Sequence, residues 1–265
     1  MAMNTTSLPW CLGAFLVVSG CGVKPQPVVP SDVSIDRILA AVRGQSEAVR
    51  DFSGVGKVTL NDGGGARTSG IIFRFIRPDR FKLDIRGFGG VEVASVGSDG
   101  DSLTVYIPLM NGYLRTGKDA AALARLAPQL DVGISLLAPL AAGVIPLPGE
   151  LERCFLTMRA WKHEAELAAR EGDSEFRYLV RGPDLRVVEL HMTEGGGTSW
   201  SMRRSEFGSC GPLAAPRTLR FERDGRTLSV RFASCSVNTG LTGADLRLDM
   251  PEDAERLAIP NPAAR

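Results

Sequence analysis

Between Ser53 and Phe232, apolar side chains recur at every second position of the chain, in short runs separated by turn residues. The clearest runs are 71–76 and 81–86, in which three apolar residues alternate with three others. A period of two is that of a β-strand that buries one face. Because one face of most runs is apolar and the other is largely polar, the pattern predicts an antiparallel sheet that is covered on one side only.

Turn residues divide this pattern into about eleven strands. Asn61–Gly65, Pro78-Asp79 and Ser98–Asp101 separate strands of the first group, and Asp224-Gly225 is a strong two-residue hairpin turn between the last two. The first predicted strand ends at Leu60. The others are 71–76, 81–86, 91–96, 103–107, 164–170, 176–180, 185–192, 199–206, 217–222 and 228–232.

The chain before the first strand has a helical pattern. Apolar residues recur near helical spacing from Ile35 to Phe52, with charged residues on the opposite side. Ser31 or Asp32 is placed to cap this helix. An amphipathic helix of this kind predicts an apolar surface beneath it.

Residues 118–145 interrupt the strands and contain the most hydrophobic part of the later chain. Asp119 can cap one short helix, and a second helix ends by Pro139 or Gly143. The apolar residues of the two helices are Leu123, Leu126, Ile134, Leu136 and Leu137. The predicted fold class is therefore α+β, a sheet of about eleven strands covered by about three α-helices.

Cys21 follows an uninterrupted apolar stretch, residues 8–18, and the small residues Ser19 and Gly20. The stretch has the length of a signal-peptide core and is too short to span a bilayer. This arrangement resembles the lipobox of bacterial lipoproteins, in which the cysteine receives acyl chains such as palmitate and the chain is cut before it. We expect residues 1–20 to be a lipoprotein signal peptide, Cys21 to be lipidated, and the proline-rich segment 21–32 to be an extended tether.

Charge and residue usage argue against several functions. A net charge of +1 argues against nucleic acid as a partner. His163 and His191 have no partner at the spacing of a zinc site or a catalytic triad, so we expect no metal, no cofactor and no enzyme activity. Cys154, Cys210 and Cys235 allow one disulfide bridge in an oxidising compartment. The last hairpin would bring Cys235 close to Cys210, which favours that pair.

Several short phrases, in their order and spacing, resemble the LolA/LolB-like superfamily of lipoprotein-localisation proteins. The order of helix, first group of strands, helical pair and second group of strands is similar as well. The resemblance covers residues 33–259 and leaves 260–265 as a tail. The phrases are Asp51-Phe52-Ser53-Gly54, Arg77–Asp84, Gly97-Ser98-Asp99-Gly100, Asn111–Leu114, Ala215–Leu219, Val237-Asn238 and Leu246–Pro251.

The resemblance implies a strongly curved sheet, an unclosed half-barrel, with an apolar cavity between its concave face and the helices. So many curved strands cannot fill their concave side with their own side chains, as an eight-stranded barrel can. A loop with an exposed apolar residue is also implied, and Phe88 would there contact a membrane. The residues expected to line the cavity are Phe73, Phe75, Phe81, Leu83, Ile85, Val105, Ile107, Leu123, Leu126, Leu136, Leu137, Phe176, Tyr178, Leu219, Phe221, Val230 and Phe232.

Anchor and resemblance together predict a lipid-anchored protein of the outer membrane that faces the periplasm. It would bind acyl chains or other lipoproteins, receive them from a periplasmic carrier protein, and help deliver them to the membrane. One alternative is a non-enzymatic envelope assembly lipoprotein that binds a protein or polysaccharide-export partner with the same fold. Another is a sensor that detects misplaced lipoproteins through the same cavity.

Overall fold

The strands form one large, curved and open sheet. They are β1 (Asp51–Asn61), β2 (Ala66–Ile76), β3 (Arg80–Arg86), β4 (Glu92–Ser98), β5 (Ser102–Ile107), β6 (Gly112–Gly117), β7 (Phe155–Ala160), β8 (Glu164–Glu171), β9 (Ser174–Arg181), β10 (Arg186–Thr193), β11 (Ser199–Cys210), β12 (Leu213–Arg223), β13 (Arg226–Val237) and β14 (Glu255–Arg256). The computed structural model describes residues 33–117, 134–148, 155–161, 164–193, 195, 197 and 199–258. Within these ranges the sheet has 14 strands, in the order β14-β6-β5-β4-β3-β2-β1-β13-β12-β11-β10-β9-β8-β7.

Neighbouring strands are antiparallel, except that β14 runs parallel to β6. The turn between β12 and β13 has positive φ at both Asp224 (48°) and Gly225 (73°). This is the geometry of a two-residue hairpin turn that matches the twist of its strands. The predicted class, an unclosed antiparallel half-barrel with few helices, is confirmed.

The number of strands differs from the prediction of about eleven, because β6, β7 and β14 are additional. β14 has two residues, too few to show any period. The Asn111–Leu114 phrase reads as the end of β5, but a left-handed turn at Asn111 (φ 43°) starts a separate strand. Leu246–Pro251, which resembles a final strand, forms none: Gly243–Leu246 is a 3-10 helix and the chain after it is irregular.

Helix α1 (Ile35–Glu47) begins later than predicted. Its N-cap is Ser34, whose hydroxyl accepts a hydrogen bond from the backbone N–H of Arg37 at 3.3 Å, and not Ser31 or Asp32. The helix ends at Glu47, so Phe52 belongs to β1. Its buried residues, Ile38, Leu39, Val42 and Ser46, lie on one face, and the first three join the core formed by the sheet.

Helix α2 (Ile134–Ala141) contains Pro139, at which a predicted end was placed, and continues two residues beyond it. The predicted helix that carries Leu123 and Leu126 lies outside the described residues, which contain two α-helices. The segment after α2 is tied to α1, because the hydroxyl of Ser46 donates to the carbonyl of Ile145 (3.1 Å) and accepts from its N–H (2.9 Å). Neither described helix is long and apolar enough to cross a membrane.

The convex face of β3 is not wet, as the alternation predicts, but covered. Lys82 and Asp84 are buried there, and the C-terminal residues 243–249 pack against this strand. The ammonium group of Lys82 donates to the carbonyl of Arg247 (3.0 Å) and to the carboxylate of Asp249 (2.8 Å). Because a buried charge needs such partners, the end of the chain is held against this face.

Candidate functional site

An apolar cavity of about 280 Å³ lies between the concave face of the sheet and α2. Strands β1, β2, β3, β12 and β13 supply its wall, and α2 covers it. Among the described lining side chains, all except Arg67 and Ser69 are hydrophobic. The lining residues are Val58, Leu60, Arg67, Ser69, Ile71, Phe73, Phe81, Leu83, Ile85, Leu137, Ala138, Ala141, Phe221, Leu228, Val230 and Phe232.

The strand register shows at which end of the sheet this cavity opens. Leu60 on β1 is paired with Leu228 on β13 and with Arg67 on β2, one residue before β1 ends. Leu60 and Leu228 are half-buried and Arg67 is exposed, whereas Phe232, further along β13, is buried. The cavity therefore opens toward the end of the sheet at which β1 turns into β2.

Phenylalanine rings close the inner end of the cavity. The ring centroids of Phe52 and Phe232 are 5.1 Å apart, those of Phe52 and Phe73 5.9 Å, and those of Phe73 and Phe81 6.4 Å. These are the separations of favourable aromatic pairs. Gly54 makes room for them, since a Cβ atom there would lie 2.6 Å from the ring of Phe232. The floor is thus densely packed, and empty space remains only above it.

The size and lining of the cavity suit hydrocarbon. Ligand pockets commonly measure ~300–1,000 Å³, and an apolar cavity of about 150 Å³ in another protein already binds benzene. Arg67 and Ser69 lie toward the mouth, where Arg67 forms an ion pair with Asp62 at 3.8 Å. Among the described residues, no group of three or more His, Cys, Asp and Glu side chains could hold a metal ion. The arrangement can exclude water and bind apolar groups.

Eight of the residues predicted to line a cavity do line this one: Phe73, Phe81, Leu83, Ile85, Leu137, Phe221, Val230 and Phe232. Their contact with a ligand stays a prediction. Leu123, Leu126 and the side chain of Leu136 lie outside the described residues. Six other predicted residues do not line the cavity: Phe75, Val105, Ile107, Phe176, Tyr178 and Leu219.

Five of those six residues belong to the core or pack against it: Phe75, Val105, Phe176, Tyr178 and Leu219. The sixth, Ile107, is half-buried. Phe75 and Leu219 are fully buried in the core. The hydroxyl of Tyr178 donates to the carbonyl of Pro146 (2.8 Å), in the segment after α2, and its ring stacks on Phe176 with centroids 6.4 Å apart. Alternation identifies an inward side chain, but what lies opposite decides whether it packs or lines a void.

Eight lining residues were not predicted: Val58, Leu60, Arg67, Ser69, Ile71, Ala138, Ala141 and Leu228. The period of two already indicated Val58, Leu60 and Ile71, because they share a face with Phe52 or Phe73. Ala138 and Ala141 on α2 are short side chains, and they leave the space open. Nothing in the local sequence marks them as different from core alanines.

Exposed apolar side chains cluster at the same end of the sheet as the cavity mouth. The loops between β3 and β4 and between β5 and β6 both lie at the start of β4, since Arg86 pairs with Glu92 and Tyr106 with Ser95. The side chain of Phe88 is fully exposed. We call the cluster the apolar rim; it consists of Phe88, Val91, Val93, Leu109 and Met110.

A second pocket, of about 310 Å³, lies on the concave side at the opposite end of the sheet. We call it the Arg204 pocket, after the inward-facing arginine of β11, which sequence reasoning did not identify. The alternation of the strand indicated that Arg204 faces inward, because it lies two and four residues after the buried Met202 and Trp200. The pocket is lined by Gly44, Gln45, Ala48, Val49, Ala142, Gly143, Asp184, Arg186, Arg204, Phe207, Leu213, Ala214, Ala215, Pro216 and Val237.

Arg204 carries a buried charge with little compensation. Its Nε and Nη1 atoms are buried and have no hydrogen-bond partner among the residues that the structure describes. Burial, and then the nearby charge of Arg186, lowers the pKa of Arg204 to about 10. The ring of Phe207 lies 5.6 Å from its guanidinium carbon. Such a cation–π contact contributes ~0.5–2 kcal/mol, less than the several kcal/mol that desolvation of an ion costs.

Cys210 and Cys235 are joined by a disulfide, with their Cα atoms 4.9 Å apart. Cys210 ends β11 and Cys235 lies near the end of β13. Leu213 and Val237, close to the two cysteines in sequence, line the Arg204 pocket. The bond therefore links strands at the end of the sheet that holds this pocket, away from the cavity mouth.

No protein-family model matches the sequence, and no curated protein matches it either. Solved structures do match. A domain from Vibrio parahaemolyticus, provisionally named an outer membrane lipoprotein-sorting protein, has a TM-score of 0.59 at 9% identity, with 79% of this chain and 94% of that chain covered. A LolA superfamily protein from Nitrosomonas europaea has a TM-score of 0.55 at 11% identity, with 82% and 99% covered.

A DUF1329 family protein from Desulfovibrio piger has a TM-score of 0.56 at 13% identity, with 80% of this chain and 98% of that chain covered. At such low identity these matches concern the path of the backbone. They agree with the resemblance carried by the sequence phrases. The chain has the LolA/LolB-like fold.

Proposed function

We propose that this protein is a lipid-anchored carrier or receptor that binds acyl chains, such as those of another lipoprotein, in the apolar cavity and helps deliver them to the outer membrane. The observation that carries the proposal is the cavity of about 280 Å³, lined almost entirely by hydrocarbon and opening at one end of the sheet. Its fold supports the proposal, since solved proteins of this fold include one named for lipoprotein sorting.

The chemistry of the lining favours acyl chains over polar ligands. Hydrophobic burial stabilises a complex by ~0.8 kcal/mol for each methylene and requires no directed hydrogen bond. Among the described lining side chains, only Arg67 and Ser69, toward the mouth, are able to form one. A chain would enter with its methyl end toward the phenylalanine floor, and its polar end would remain beside Arg67. A binding role, without catalysis, accounts for this lining.

The apolar rim supports delivery to a membrane. Phe88 and Leu109 are exposed side chains on neighbouring loops, at the end of the sheet where the cavity opens. Exposed apolar clusters mark contact sites for membranes or proteins. Insertion of these side chains among lipid headgroups would place the mouth against the bilayer. Lipidated Cys21, through the tether 21–32, would keep the domain near that bilayer from the periplasmic side.

The same rim favours a second candidate function, that of an envelope assembly lipoprotein which binds a protein or polysaccharide-export partner. In that case the rim would be the recognition surface and the cavity would be incidental. The two functions therefore differ in which region they require: carriage of acyl chains needs the cavity, and assembly needs only the rim.

A variant that fills the cavity tests the proposal. Ala141→Phe places a ring in the cavity, and Ala40→Phe, at an exposed position of α1, is its matched control. Binding of a palmitoylated fluorescent peptide to the purified protein is measured by anisotropy, with the unacylated peptide as competitor. If the ring excludes two methylenes, Ala141→Phe lowers affinity by about tenfold or more, and Ala40→Phe leaves it unchanged.

Two results would count against acyl carriage. One is equal binding of the acylated and unacylated peptides by the wild-type protein. The other is unchanged affinity in an Ala141→Phe variant whose folding is verified by circular dichroism. If Phe88→Ser alone abolished function in cells while Ala141→Phe did not, the assembly role would be favoured instead.

A further inference from the structure

We propose that the Arg204 pocket is a binding site for an oxyanion, a carboxylate or phosphate group that pairs with the guanidinium of Arg204. This site is distinct from the apolar cavity and does not depend on acyl binding there. The pocket lies at the opposite end of the sheet, beneath the C-terminal part of α1.

The charge of Arg204 has no partner among the described residues. Arg204 is 6% exposed, and its Nε and Nη1 atoms are buried with no hydrogen-bond partner in that part of the chain. Within the described part of the chain no carboxylate forms an ion pair with it. Buried guanidinium groups are otherwise found paired, because removal from water must be compensated. An anion from outside the described residues would supply the missing partner.

The described side chains around the pocket carry a net positive charge. Arg186, the first residue of β10, also lines the pocket and forms an ion pair with Asp184. Both Arg186 and Arg204 have their guanidinium carbons near the ring of Phe207, at 5.5 and 5.6 Å from its centroid. With Asp184 paired to Arg186, the side chains around the pocket leave one positive charge uncompensated, and an oxyanion would neutralise it.

The pocket has room for a small ligand beside the guanidinium. The pocket measures about 310 Å³. Small residues line it near the guanidinium: a Cβ atom on Gly143 would lie 3.8 Å from Nη2 of Arg204. The planar guanidinium presents several N–H donors in a fork that matches a carboxylate or phosphate bidentately. The ligand is therefore a compact oxyanion, either free or as the headgroup of a larger molecule.

The test compares thermal unfolding of the full chain, purified in an uncharged detergent, in sodium phosphate and in sodium chloride of equal ionic strength. Arg204→Met removes the charge and keeps similar length. Arg203→Met is the matched control, because Arg203 is exposed on the opposite face and pairs with Glu189 at 3.3 Å. We expect phosphate to raise the unfolding midpoint of the wild type and of Arg203→Met by about 2–4 °C, with no shift for Arg204→Met.

In chloride, Arg204→Met should be at least as stable as the wild type, since it no longer buries an unpaired charge. A purely structural arginine gives the reverse: Arg204→Met would then be less stable in both salts. An undiminished phosphate shift in Arg204→Met would overturn the proposal, and so would a wild type that shifts neither with phosphate nor with the anionic lipid used in the second arm. If Arg204→Met does not fold, phosphate binding to the wild type and to Arg204→Lys is compared by titration calorimetry. Lysine keeps the charge but lacks the fork of N–H donors, so Arg204→Lys should bind phosphate more weakly. Equal binding by the two proteins would contradict the proposal.

A second arm distinguishes the source of the anion. The same unfolding experiment is done with bicelles of phosphatidylcholine, with and without phosphatidic acid. A shift with inorganic phosphate assigns a free oxyanion, and a shift only with phosphatidic acid, lost in Arg204→Met, assigns a lipid headgroup. Absence of an Arg204-dependent shift in every arm contradicts the site.

Discussion

The apolar cavity and the Arg204 pocket lie on the same concave face and have similar volumes, about 280 and 310 Å³. They differ in the groups that line them. In the described part of the chain, the cavity has a floor of phenylalanine rings and a single arginine, Arg67, at its exposed mouth, whereas the pocket has a buried arginine without a partner. Hydrocarbon side chains beside empty space lose only dispersion contacts, but a buried charge beside empty space is left uncompensated.

The comparison teaches that volume alone does not assign a ligand. Under the two proposals above, one fold binds hydrocarbon at one end of its sheet and an oxyanion at the other. Because the two regions depend on opposite physical effects, substitutions in them should change stability in opposite directions.

The largest expected effect is on the floor of the cavity. Phe232→Ala removes a buried ring that contacts Phe52 and Phe73, so it should lower the free energy of unfolding by about 3–5 kcal/mol. Leu228→Ala, at the half-buried mouth, should cost only about 1–2 kcal/mol. Urea unfolding measures both. Equal losses of unfolding free energy at the two positions would mean that the cavity has no packed floor. The expected contrast, in which Phe232→Ala destabilises the protein and Arg204→Met does not, would then be weaker.

A smaller effect concerns pH. Burial lowers the pKa of Arg204 to about 10 in the folded protein, below its ordinary value in the unfolded chain. Above about pH 10 the folded state loses this proton while the unfolded state keeps it, so wild-type stability rises relative to Arg204→Met. The slope is at most about 1.4 kcal/mol per pH unit. Unfolding free energies of both proteins from about pH 9 to 11 measure it, and a difference that is independent of pH contradicts an uncompensated charge.

The smallest expected effect is the change in binding affinity for each methylene added to the acyl chain. Each added methylene should strengthen binding by ~0.8 kcal/mol, about fourfold in the dissociation constant, until the cavity is full. Beyond that length the affinity should level off. Competition by peptides of increasing acyl length against the fluorescent probe measures the series in the wild type and in Arg204→Met. An affinity that does not depend on chain length would contradict acyl binding in the cavity. A series altered by Arg204→Met would contradict separate sites.

Much of the fold could be predicted from local patterns. The period of two placed Phe73, Phe81 and Phe232 on an inward face, and Asp224-Gly225 marked a hairpin turn. Local patterns failed where partners are distant in sequence. Lys82 reads as a solvated outward residue, yet the carbonyl that accepts from it belongs to Arg247, 165 residues later. β14 was missed for the same reason, since its two residues form a strand only by pairing with β6.

The candidate site divides in the same way. Phe75 and Phe73 are both inward-facing, but only Phe73 lines the cavity, because the packing around Phe75 leaves no space. Arg204 occupies an inward position that the alternation marks, yet its lack of a partner depends on residues from α1, β10 and the chain after α2. Cys21, Leu123 and Leu126 remain predictions, since they lie outside the described residues.

By itself the sequence determined that most strands have one apolar face, where the turns fall, and that a cysteine follows a signal-like stretch. These are local properties, set by side-chain period and backbone preference. Tertiary structure alone decided where the helices cross the concave face, and thus which inward side chains pack, which surround a void and which charge is left without a partner. The reason is that packing and charge compensation are fixed by neighbours in space, most of which are far apart along the chain.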